Sequence, residues 1–311
     1  MAKRLIYLGP DSHFEFIASQ LPTFEVIQAN SEHEVDDIIE RCDVIFDAYM
    51  KVPFKNDRLS KASILKLFIT ATTGTSHIDT EFLNQKNIPV LTLRGQEHIT
   101  RGLTAAAEHS WLLLMAIARQ LIPATQEVKN GEWDRNKFPG IMLKGKTIGI
   151  VGCGRIGEWM AKYANAFGMK VLGYDPYSKI NNDLFEEAHL LDLLSRADFV
   201  SIHVPLNDST KLLIGSKEFE LLKPSSIFIN TSRGEIIDET ALLEALQNKK
   251  IKGAGIDVIT AEPYINNDPL VEYARKNSNL IITPHIAGYS PDALDVVLKF
   301  SCERINNFFG K

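Results

Sequence analysis

Three polar side chains, Arg233, Glu262 and His285, each follow an apolar, β-branched run that predicts a buried strand. Arginine presents a planar pair of donors that stays charged and suits a carboxylate or a carbonyl oxygen. Histidine exchanges protons near neutral pH, and a neighbouring carboxylate favours its protonated form. Because ligands bind at the carboxyl ends of parallel strands, we predict that these residues form a catalytic site that polarises a carbonyl group and exchanges a proton.

Each of these residues also has a simpler interpretation when it is taken alone. An arginine at a strand end is usually part of a surface ion pair, Glu262-Pro263 is typical of a turn, and a histidine after Pro284 is usually a loop residue. Only the joint occurrence of all three after consecutive strands favours the catalytic interpretation.

A glycine-rich segment in the middle of the chain predicts a dinucleotide site. The apolar run Thr147–Val151 leads into Gly152-Cys153-Gly154-Arg155-Ile156-Gly157 and then into a helical stretch. The first glycine permits a tight turn, the second lets the backbone approach a pyrophosphate, and the third allows close packing of helix on strand. Asp175 ends the next predicted strand, where a carboxylate binds ribose hydroxyls and repels a 2′-phosphate. The pattern therefore predicts NAD rather than NADP as cofactor. The alternative interpretation is that the glycine-rich segment is an ordinary strand-to-helix turn.

Short apolar runs alternate with amphipathic stretches along the whole chain, which indicates parallel α/β architecture. Five strands are predicted in the first third and suggest a flavodoxin-like sheet: Leu5–Leu8, Glu25–Gln28, Val44–Ala48, Leu67–Thr70 and Val90–Thr92. Six more predict a doubly wound sheet of the Rossmann type: Thr147–Val151, Lys170–Tyr174, Phe199–Val204, Ile227–Asn230, Ala254–Val258 and Leu280–Thr283. The predicted helices include Glu32–Arg41, Thr80–Asn87 with Thr80 as cap, Thr104–Leu121, which ends before Pro123, and Pro291–Phe309.

Composition excludes several other classes of protein. The 311 residues are 45% hydrophobic and 23% charged, and the net charge of −5 gives no reason to expect nucleic acid as a partner. The longest apolar runs fall short of a membrane span, and the N-terminus reaches a Gly-Pro break too soon for a signal peptide. The three cysteines, Cys42, Cys153 and Cys302, are far apart and predict neither disulfides nor a metal site. We therefore expect a cytoplasmic enzyme without a bound metal.

The chain resembles the D-isomer-specific 2-hydroxyacid dehydrogenase family, which includes 3-phosphoglycerate dehydrogenases and hydroxypyruvate reductases. The matching stretches occur in the family's order: Thr73-Gly74-Thr75 with Ile78-Asp79, Ala107-Glu108-His109, Gly145 to Gly157, Phe167-Gly168-Met169, His203 to Leu206, Asn230 to Asp238, Asp257 to Pro263 and Thr283 to Gly288. The resemblance implies that Arg233 binds the substrate carboxylate and carbonyl, that Glu262 holds His285, and that His285 exchanges the proton. It also implies a discontinuous substrate domain, residues 1–98 and 290–311, around a NAD-binding Rossmann domain, residues 99–289.

The same resemblance implies further contacts. The backbone N–H groups of Thr73, Gly74 and Thr75 are expected to hold the substrate carboxylate. Asp257 is expected on the nicotinamide carboxamide, with Arg155 and Ile156 on the pyrophosphate and Asp175 on the adenosine ribose. The remaining residues expected to bind the cofactor are Gly152, Gly154, Gly157, His203, Val204, Pro205, Thr210, Thr231, Ser232 and Gly288.

Two segments depart from the family's usual pattern. Thr72-Thr73-Gly74-Thr75-Ser76-His77-Ile78-Asp79 stands where Gly-Thr-Gly-x-Asp-Asn-Ile-Asp is common, and Leu93–Thr104 is about five residues longer than in short members. Because the sequence ends at Lys311, we expect no C-terminal regulatory domain of the kind found in longer phosphoglycerate dehydrogenases.

These observations predict a NAD-dependent oxidoreductase that interconverts a D-2-hydroxyacid and its 2-oxoacid, with a substrate of the phosphoglycerate or hydroxypyruvate/glyoxylate type. A homodimer is expected through the NAD-binding domain and the apolar helix at 104–121. One alternative is formate-dehydrogenase-like chemistry, which needs no proton relay and goes with Gln rather than Glu beside the histidine. A second is an NADH-sensing co-repressor, which can keep the same residues.

Overall fold

The computed structural model describes residues 2–178, 180 and 183–310, and the chain divides into two compact units. The first unit comprises Met1–Leu103 and Ser290–Lys311, and the second comprises Thr104–Tyr289. The C-terminal division coincides with the predicted one, and the N-terminal division lies a few residues after the predicted position at 98. The assignment of the first unit to the substrate stays a prediction.

Among the described residues, the first unit contains a sheet of five parallel strands in the order β2-β1-β3-β4-β5. This is the predicted flavodoxin-like order, with two consecutive strands reversed at one edge. The strands are β1 Lys3–Leu8, β2 Phe24–Gln28, β3 Val44–Asp47, β4 Leu67–Thr70 and β5 Val90–Leu91. The α-helices of this unit are α1 Phe14–Gln20, α2 Glu32–Ile38, α3 Asn56–Leu59, α4 Thr80–Gln85, α5 Glu97–Thr100 and, after the second unit, α13 Pro291–Phe309.

Alternate residues of each strand pack into two separate cores, because successive side chains of a strand point to opposite faces. Leu5 and Tyr7 of β1 pack with the apolar face of α13, which includes Leu298. Ile6 and Leu8 pack on the other side, against helices α2 to α4. Both faces of the sheet are thus covered, and only its edges and loops remain for binding.

The second unit contains seven parallel strands within the described part of the chain, in the order β12-β11-β10-β9-β6-β7-β8. They are β6 Thr147–Val151, β7 Lys170–Tyr174, β8 Glu186–Glu187, β9 Phe199–Ile202, β10 Ile227–Asn230, β11 Gly253–Ile256 and β12 Leu280–Ile282. The sequence predicted six of these. The two-residue edge strand β8 was missed because two exposed glutamates carry no apolar signal.

The helices of the second unit are α6 Ala105–Ala118, α7 Leu121–Lys129, α8 Arg155–Ala166, α9 Leu190–Arg196, α10 Ser216–Leu221, α11 Glu239–Gln247 and α12 Pro269–Ala274. Helices α6 and α8 pack on one face of the sheet, and α9 to α12 pack on the other. The predicted helix 104–121 is wrong at its end. The chain leaves α6 at Arg119, turns through Gln120 in the left-handed region with a φ of 50°, and continues as α7 with Pro123 in its first turn, where proline is tolerated.

Two predictions about helix ends in the first unit also need correction. Helix α2 ends at Ile38, and a separate 3-10 turn, Ile39–Arg41, completes the predicted helix 32–41. Helix α4 is capped by Asp79 and not by Thr80, since the Asp79 carboxylate accepts the N–H of Phe82 at 2.9 Å. In the residues described above, no helix is both long enough and apolar enough to cross a lipid bilayer.

The cap of α4 gives a stability prediction. Replacing Asp79 by Ala removes the acceptor for an otherwise unpaired amide of the first turn, so the free energy of unfolding should fall by about 1 kcal/mol. Thr80→Ala, one residue away on an exposed position, should change it by less than about 0.5 kcal/mol. Urea unfolding followed by circular dichroism measures both variants. Equal losses in the two variants would contradict the assignment of the cap.

Candidate active site

The carboxylate of Asp257, directly after β11, is fully buried and organises the loop that follows β12. One oxygen, Oδ1, accepts the Thr283 hydroxyl at 2.5 Å and the N–H of Ile286 at 2.9 Å. The other oxygen accepts the N–H of Ala287 at 2.7 Å. A buried carboxylate is costly unless it is hydrogen-bonded, and these three donors supply that compensation. The loop over 283–287 is therefore held against the end of the neighbouring strand.

His285 lies at the centre of this loop and is paired with Glu262. Its Nδ1 is 2.8 Å from Oε1 of Glu262, and its backbone N–H donates to the carbonyl of Asp257 at 2.8 Å. The residue has a φ of 54°, in the left-handed region that few non-glycine residues adopt. Because a carboxylate only accepts, Nδ1 carries the hydrogen and Nε2 is left as the atom that can exchange a proton. About one third of each side chain is exposed to solvent.

Arg233 lies in the turn after β10, the strand next to β11. The buried side chain of Asn230 shapes this turn: it accepts the N–H of Ser232 at 3.0 Å and donates to the carbonyl of Arg233 at 2.9 Å. The absence of a side chain at Gly234 lets the turn contact the backbone of Ile259, where a Cβ would come within 2.4 Å. The guanidinium of Arg233 donates to the Ser232 carbonyl. Within the described residues, no hydrogen bond or ion pair joins it to Glu262 or His285.

The loop that carries Glu262 has its own anchor, Glu239 at the start of α11. The Glu239 carboxylate accepts the N–H of Thr260 at 2.6 Å. Burial of this carboxyl raises its pKa above the ordinary value. Sequence reasoning missed Glu239, because a glutamate in the first turn of a helix is common for reasons of helix stability alone.

Helix α6 contributes two further residues that sequence reasoning did not assign. His109 Nε2 lies 2.9 Å from the Thr283 hydroxyl and 3.6 Å from a carboxylate oxygen of Asp257. The hydroxyl of Ser110 is 2.7 Å from that of Thr231. In the sequence, a histidine and a serine at adjacent positions of an apolar helix indicate that this helix has polar contacts. Only the packing of α6 on β10 and β11 shows which loops these two side chains contact.

The glycine-rich segment forms the turn between β6 and α8. Gly152 has a φ of 94°, and Gly157 lies so close to the Gly152 carbonyl oxygen that a Cβ would come within 2.1 Å. Gly154 differs from both, because a Cβ placed on it meets no atom within 4 Å. Helix α8 starts at Arg155, and the burial of this guanidinium lowers its pKa. Open space at the start of a twelve-residue helix is the geometry that accepts a phosphate.

Asp175 follows β7 and contacts the same turn. One carboxylate oxygen accepts the N–H of Cys153 at 3.0 Å, and the other accepts the N–H groups of Tyr177 and Ser178. The side chain therefore fixes two loops at the carboxyl end of the sheet. Its role in choosing the cofactor stays a prediction.

The segment after β9 holds the residues expected near the adenine. Burial of the His203 imidazole lowers its pKa to about 3, so the ring is neutral, and its Nε2 lies 2.8 Å from the Ser201 hydroxyl. The Thr210 hydroxyl donates to the Pro205 carbonyl at 2.6 Å and closes the turn. Val204 is buried against the sheet.

The described loops fit a dinucleotide. Gly154 offers the open approach to a helix N-terminus, and Asp175 supplies a carboxylate at the end of the second strand of this sheet, as such sites require. Thr231, Ser232 and Gly288 lie in the adjacent loops at the same edge, after β10 and β12, and a Cβ at Gly288 also meets open space.

In the first unit, Thr73, Gly74 and Thr75 form the loop after β4. The described part of the chain offers no hydrogen-bond acceptor to the amides of these three residues. Thr73 is exposed. Three successive unpaired amides are suited to an anion such as a carboxylate.

The fold and this set of loops define a dinucleotide-binding α/β dehydrogenase, and the comparisons with known proteins give the family. The sequence of residues 111–287 matches the family described as D-isomer-specific 2-hydroxyacid dehydrogenase, NAD-binding domain. The chain is 32% identical to the glycerate dehydrogenase of Methylorubrum extorquens over 318 aligned residues, which cover 99% of the chain and 96% of the relative. The chain belongs to the D-isomer-specific 2-hydroxyacid dehydrogenase family.

Two further comparisons show how much of each related protein this chain matches. The D-3-phosphoglycerate dehydrogenase of Methanocaldococcus jannaschii is 36% identical over 283 residues, which are 89% of this chain but 52% of that relative. The chain thus spans about half the length of that relative. A crystal structure of the D-lactate dehydrogenase of Aquifex aeolicus, in complex with NAD and lactic acid, superposes with a TM-score of 0.87 at 27% identity and covers 99% of this chain and 96% of that one.

The two glycines of the phosphate loop should respond differently to the same added methyl group. Gly157→Ala places a Cβ against a backbone carbonyl, so the Tm of the protein should fall. Gly154→Ala meets no protein atom within 4 Å, so the Tm should stay within about 2 °C of wild type, a shift worth about 1 kcal/mol. If the pyrophosphate binds at this turn, the added methyl group occupies its approach, and the Kd for NADH should rise at least about tenfold, or 1.4 kcal/mol.

Differential scanning calorimetry and NADH fluorescence titration measure these two quantities. Unchanged NADH affinity in a folded Gly154→Ala variant would remove this turn from the cofactor site.

Proposed function

We propose that this protein is a NAD-dependent oxidoreductase that interconverts a D-2-hydroxyacid and its 2-oxoacid. The observation that carries the proposal is the pair formed by His285 and Glu262, in which Nδ1 lies 2.8 Å from Oε1. Both residues lie on loops at the carboxyl ends of the strands of the second unit, where the glycine-rich turn also lies. A proton-exchanging group and a dinucleotide turn together suit reduction of a carbonyl, in which one hydride and one proton are added.

Each side chain has a distinct part in this reaction. His285 Nε2 gives a proton to the carbonyl oxygen during reduction and takes it back during oxidation of the alcohol. Glu262 accepts the hydrogen of Nδ1, which orients the imidazole and leaves Nε2 for proton exchange. The guanidinium of Arg233 binds the substrate carboxylate and polarises the carbonyl. The nicotinamide, when bound, supplies or accepts the hydride.

The charge of Asp175 favours NAD. A carboxylate at this position accepts hydrogen bonds from the ribose hydroxyls and repels a 2′-phosphate. Arg155 and Ile156, at the start of α8, hold the pyrophosphate, and Asp257, which is fully buried, acts on the nicotinamide side through the loop over 283–287 that it holds. The adenine side of the cofactor site is lined by His203, Val204, Pro205 and Thr210. The remaining contacts with the cofactor come from the turn with Thr231 and Ser232 and from the loop with Gly288.

For the substrate we propose the phosphoglycerate or hydroxypyruvate/glyoxylate type. The names of the relatives above, a glycerate and a phosphoglycerate dehydrogenase, support this class. The amides of Thr73, Gly74 and Thr75 bind the carboxylate that all these acids share.

A homodimer formed through the NAD-binding unit is also proposed, in the cytoplasm. Helices α6 and α7 and the segment after them expose large apolar side chains, and such patches are typical of contacts between subunits. These side chains are Leu112, Leu121, Ile122, Val128, Trp133 and Met142. Sedimentation equilibrium should give twice the mass of one chain.

A direct test of the activity is NADH oxidation with phosphohydroxypyruvate, hydroxypyruvate, glyoxylate, pyruvate and branched 2-oxoacids. We expect turnover of at least one of these acids, with NADH preferred over NADPH. Absence of turnover with every acid, in protein that binds NADH, would contradict the proposed activity and favour an NADH-sensing role. A preference for NADPH would contradict the role of Asp175.

The kcat/KM should depend on the planar donor pair of Arg233 as well as on its positive charge. Arg233→Lys keeps the positive charge but loses the two-point donor pair. The kcat/KM for the best 2-oxoacid should fall at least about 10²-fold, which corresponds to about 2.7 kcal/mol of lost transition-state stabilisation. Arg275→Lys, which alters an exposed arginine paired with Glu272 in the same unit, serves as the matched control and should keep the wild-type rate. Near-wild-type turnover in Arg233→Lys would remove this residue from the site.

A further inference from the structure

His77 and Asp47 form a buried pair in the first unit, next to the loop with the unpaired amides. His77 Nε2 lies 2.6 Å from Oδ2 of Asp47, and the exposed fractions of the two side chains are 8% and 0%. Since a carboxylate accepts, the histidine donates through Nε2. Its Nδ1 is buried and meets no hydrogen-bond partner in the described residues. The pair is therefore the single polar side-chain contact of this imidazole in that part of the chain.

The pair connects two loops that leave neighbouring strands. Asp47 is the last residue of β3, and its carboxylate also accepts the N–H groups of Tyr49 and Met50 at 3.0 and 3.1 Å. Met50 has a φ of 56°, a left-handed conformation that these bonds stabilise. His77 lies four residues after Thr73, in the loop that follows β4. The side chain of Asp47 thus holds the turn of β3 and, through His77, the loop of β4.

Other contacts hold carbonyl groups along the β4 loop, where those of Thr75 and Ser76 accept the Ile78 N–H and the Lys55 ammonium, both at 2.9 Å. The hydroxyl of Thr72 donates to the Gly74 carbonyl at 2.9 Å, and the carbonyl of His77 accepts the N–H of Phe54 at 2.7 Å. Between these points lie the amides of Thr73, Gly74 and Thr75, which need a fixed direction to bind a carboxylate together. The hydroxyl of Thr72, 2.9 Å from that of Thr70, holds the start of this stretch to the end of β4, and the imidazole of His77 ties its far end to the end of β3.

We propose that the His77–Asp47 pair positions the Thr73–Thr75 amides for the substrate carboxylate, so that it acts on substrate affinity and not on the cofactor. This inference rests on the proposed function, because it takes the loop to be the site of carboxylate binding. His77 is a positioning residue here, since it acts through the backbone and not by contact with the reacting atoms.

His77→Phe removes the donor while it keeps an aromatic ring of similar size. It should raise the KM for the best 2-oxoacid at least about tenfold and leave the KM for NADH within about twofold, which separates the effect from general loss of structure. His77→Gln should restore most of the affinity, because the amide nitrogen of glutamine reaches about as far as Nε2 and can donate to Asp47. His77→Asn, with a shorter amide, should behave like the phenylalanine variant and replaces it if that variant does not fold.

The matched control is His33→Phe, which removes a histidine paired with Asp37 on the exposed surface of α2. It should leave both KM values unchanged. Asp47→Asn keeps an oxygen for the N–H groups of Tyr49 and Met50, so in combination with His77→Phe it should cost little more than His77→Phe alone.

Hydrogen–deuterium exchange of the peptide over 70–79 gives a second measurement that needs no turnover. Exchange at this peptide should rise in His77→Phe and remain at the wild-type level in His77→Gln and His33→Phe. Absence of any 2-oxoacid turnover in the wild type would refute the proposed function, while the exchange data would still test the link between the loops. A KM and an exchange rate that both stay at the wild-type values in a folded His77→Phe variant would overturn the inference.

Discussion

The buried carboxylate of Asp257 is the interaction on which the arrangement of the active site depends. The N–H groups of Ile286 and Ala287, in the loop after β12, turn inward to this single side chain. Burial of a carboxylate is costly unless donors surround it, so the loop and the carboxylate stabilise each other. His285 takes its left-handed conformation on this loop and thereby reaches Glu262.

The same device occurs at other strand ends of this chain. Asp47 at the end of β3 and Asp175 after β7 also accept backbone N–H groups from the turns beside them. In a parallel sheet the loops that follow the strands all begin at the carboxyl ends of those strands. The first amides of these loops have no partner in the hydrogen bonds between strands. A short carboxylate at the strand end compensates several of them at once. Binding loops are thus fixed by residues that need not touch the ligand.

Much of this organisation could be predicted from the sequence because it depends on local patterns. The runs of β-branched residues give eleven of the strands described here, and the order of glycines after β6 gives the phosphate turn. The strand β8, the break between α6 and α7 and the cap at Asp79 were missed or misplaced, since they depend on one or two residues whose local preferences are weak. Pro123 does not end the helix that precedes it but lies in the first turn of α7.

The residues that support the site were the least predictable part. His109, Ser110 and Glu239 contact loops far away in the sequence, and their positions follow from the packing of α6 and α11 on the sheet. Periodicity shows that such a helix is buried but does not show which loop its few polar residues meet. The chemistry of Arg233, Glu262 and His285 was readable because each follows a strand of a parallel sheet, where position alone indicates a role.

In the proposed reaction His285 exchanges the proton, and the kcat/KM of a His285→Asn variant, measured in both directions, tests this role most directly. Asparagine tolerates the left-handed backbone of this position, so the loop should keep its structure. The kcat/KM values for reduction and for oxidation should both fall by about 10²–10⁴-fold, while the Kd for NADH should stay within about twofold. His189→Asn, an exposed histidine of the same unit, should have no effect. Wild-type rates in a folded His285→Asn enzyme would contradict the account.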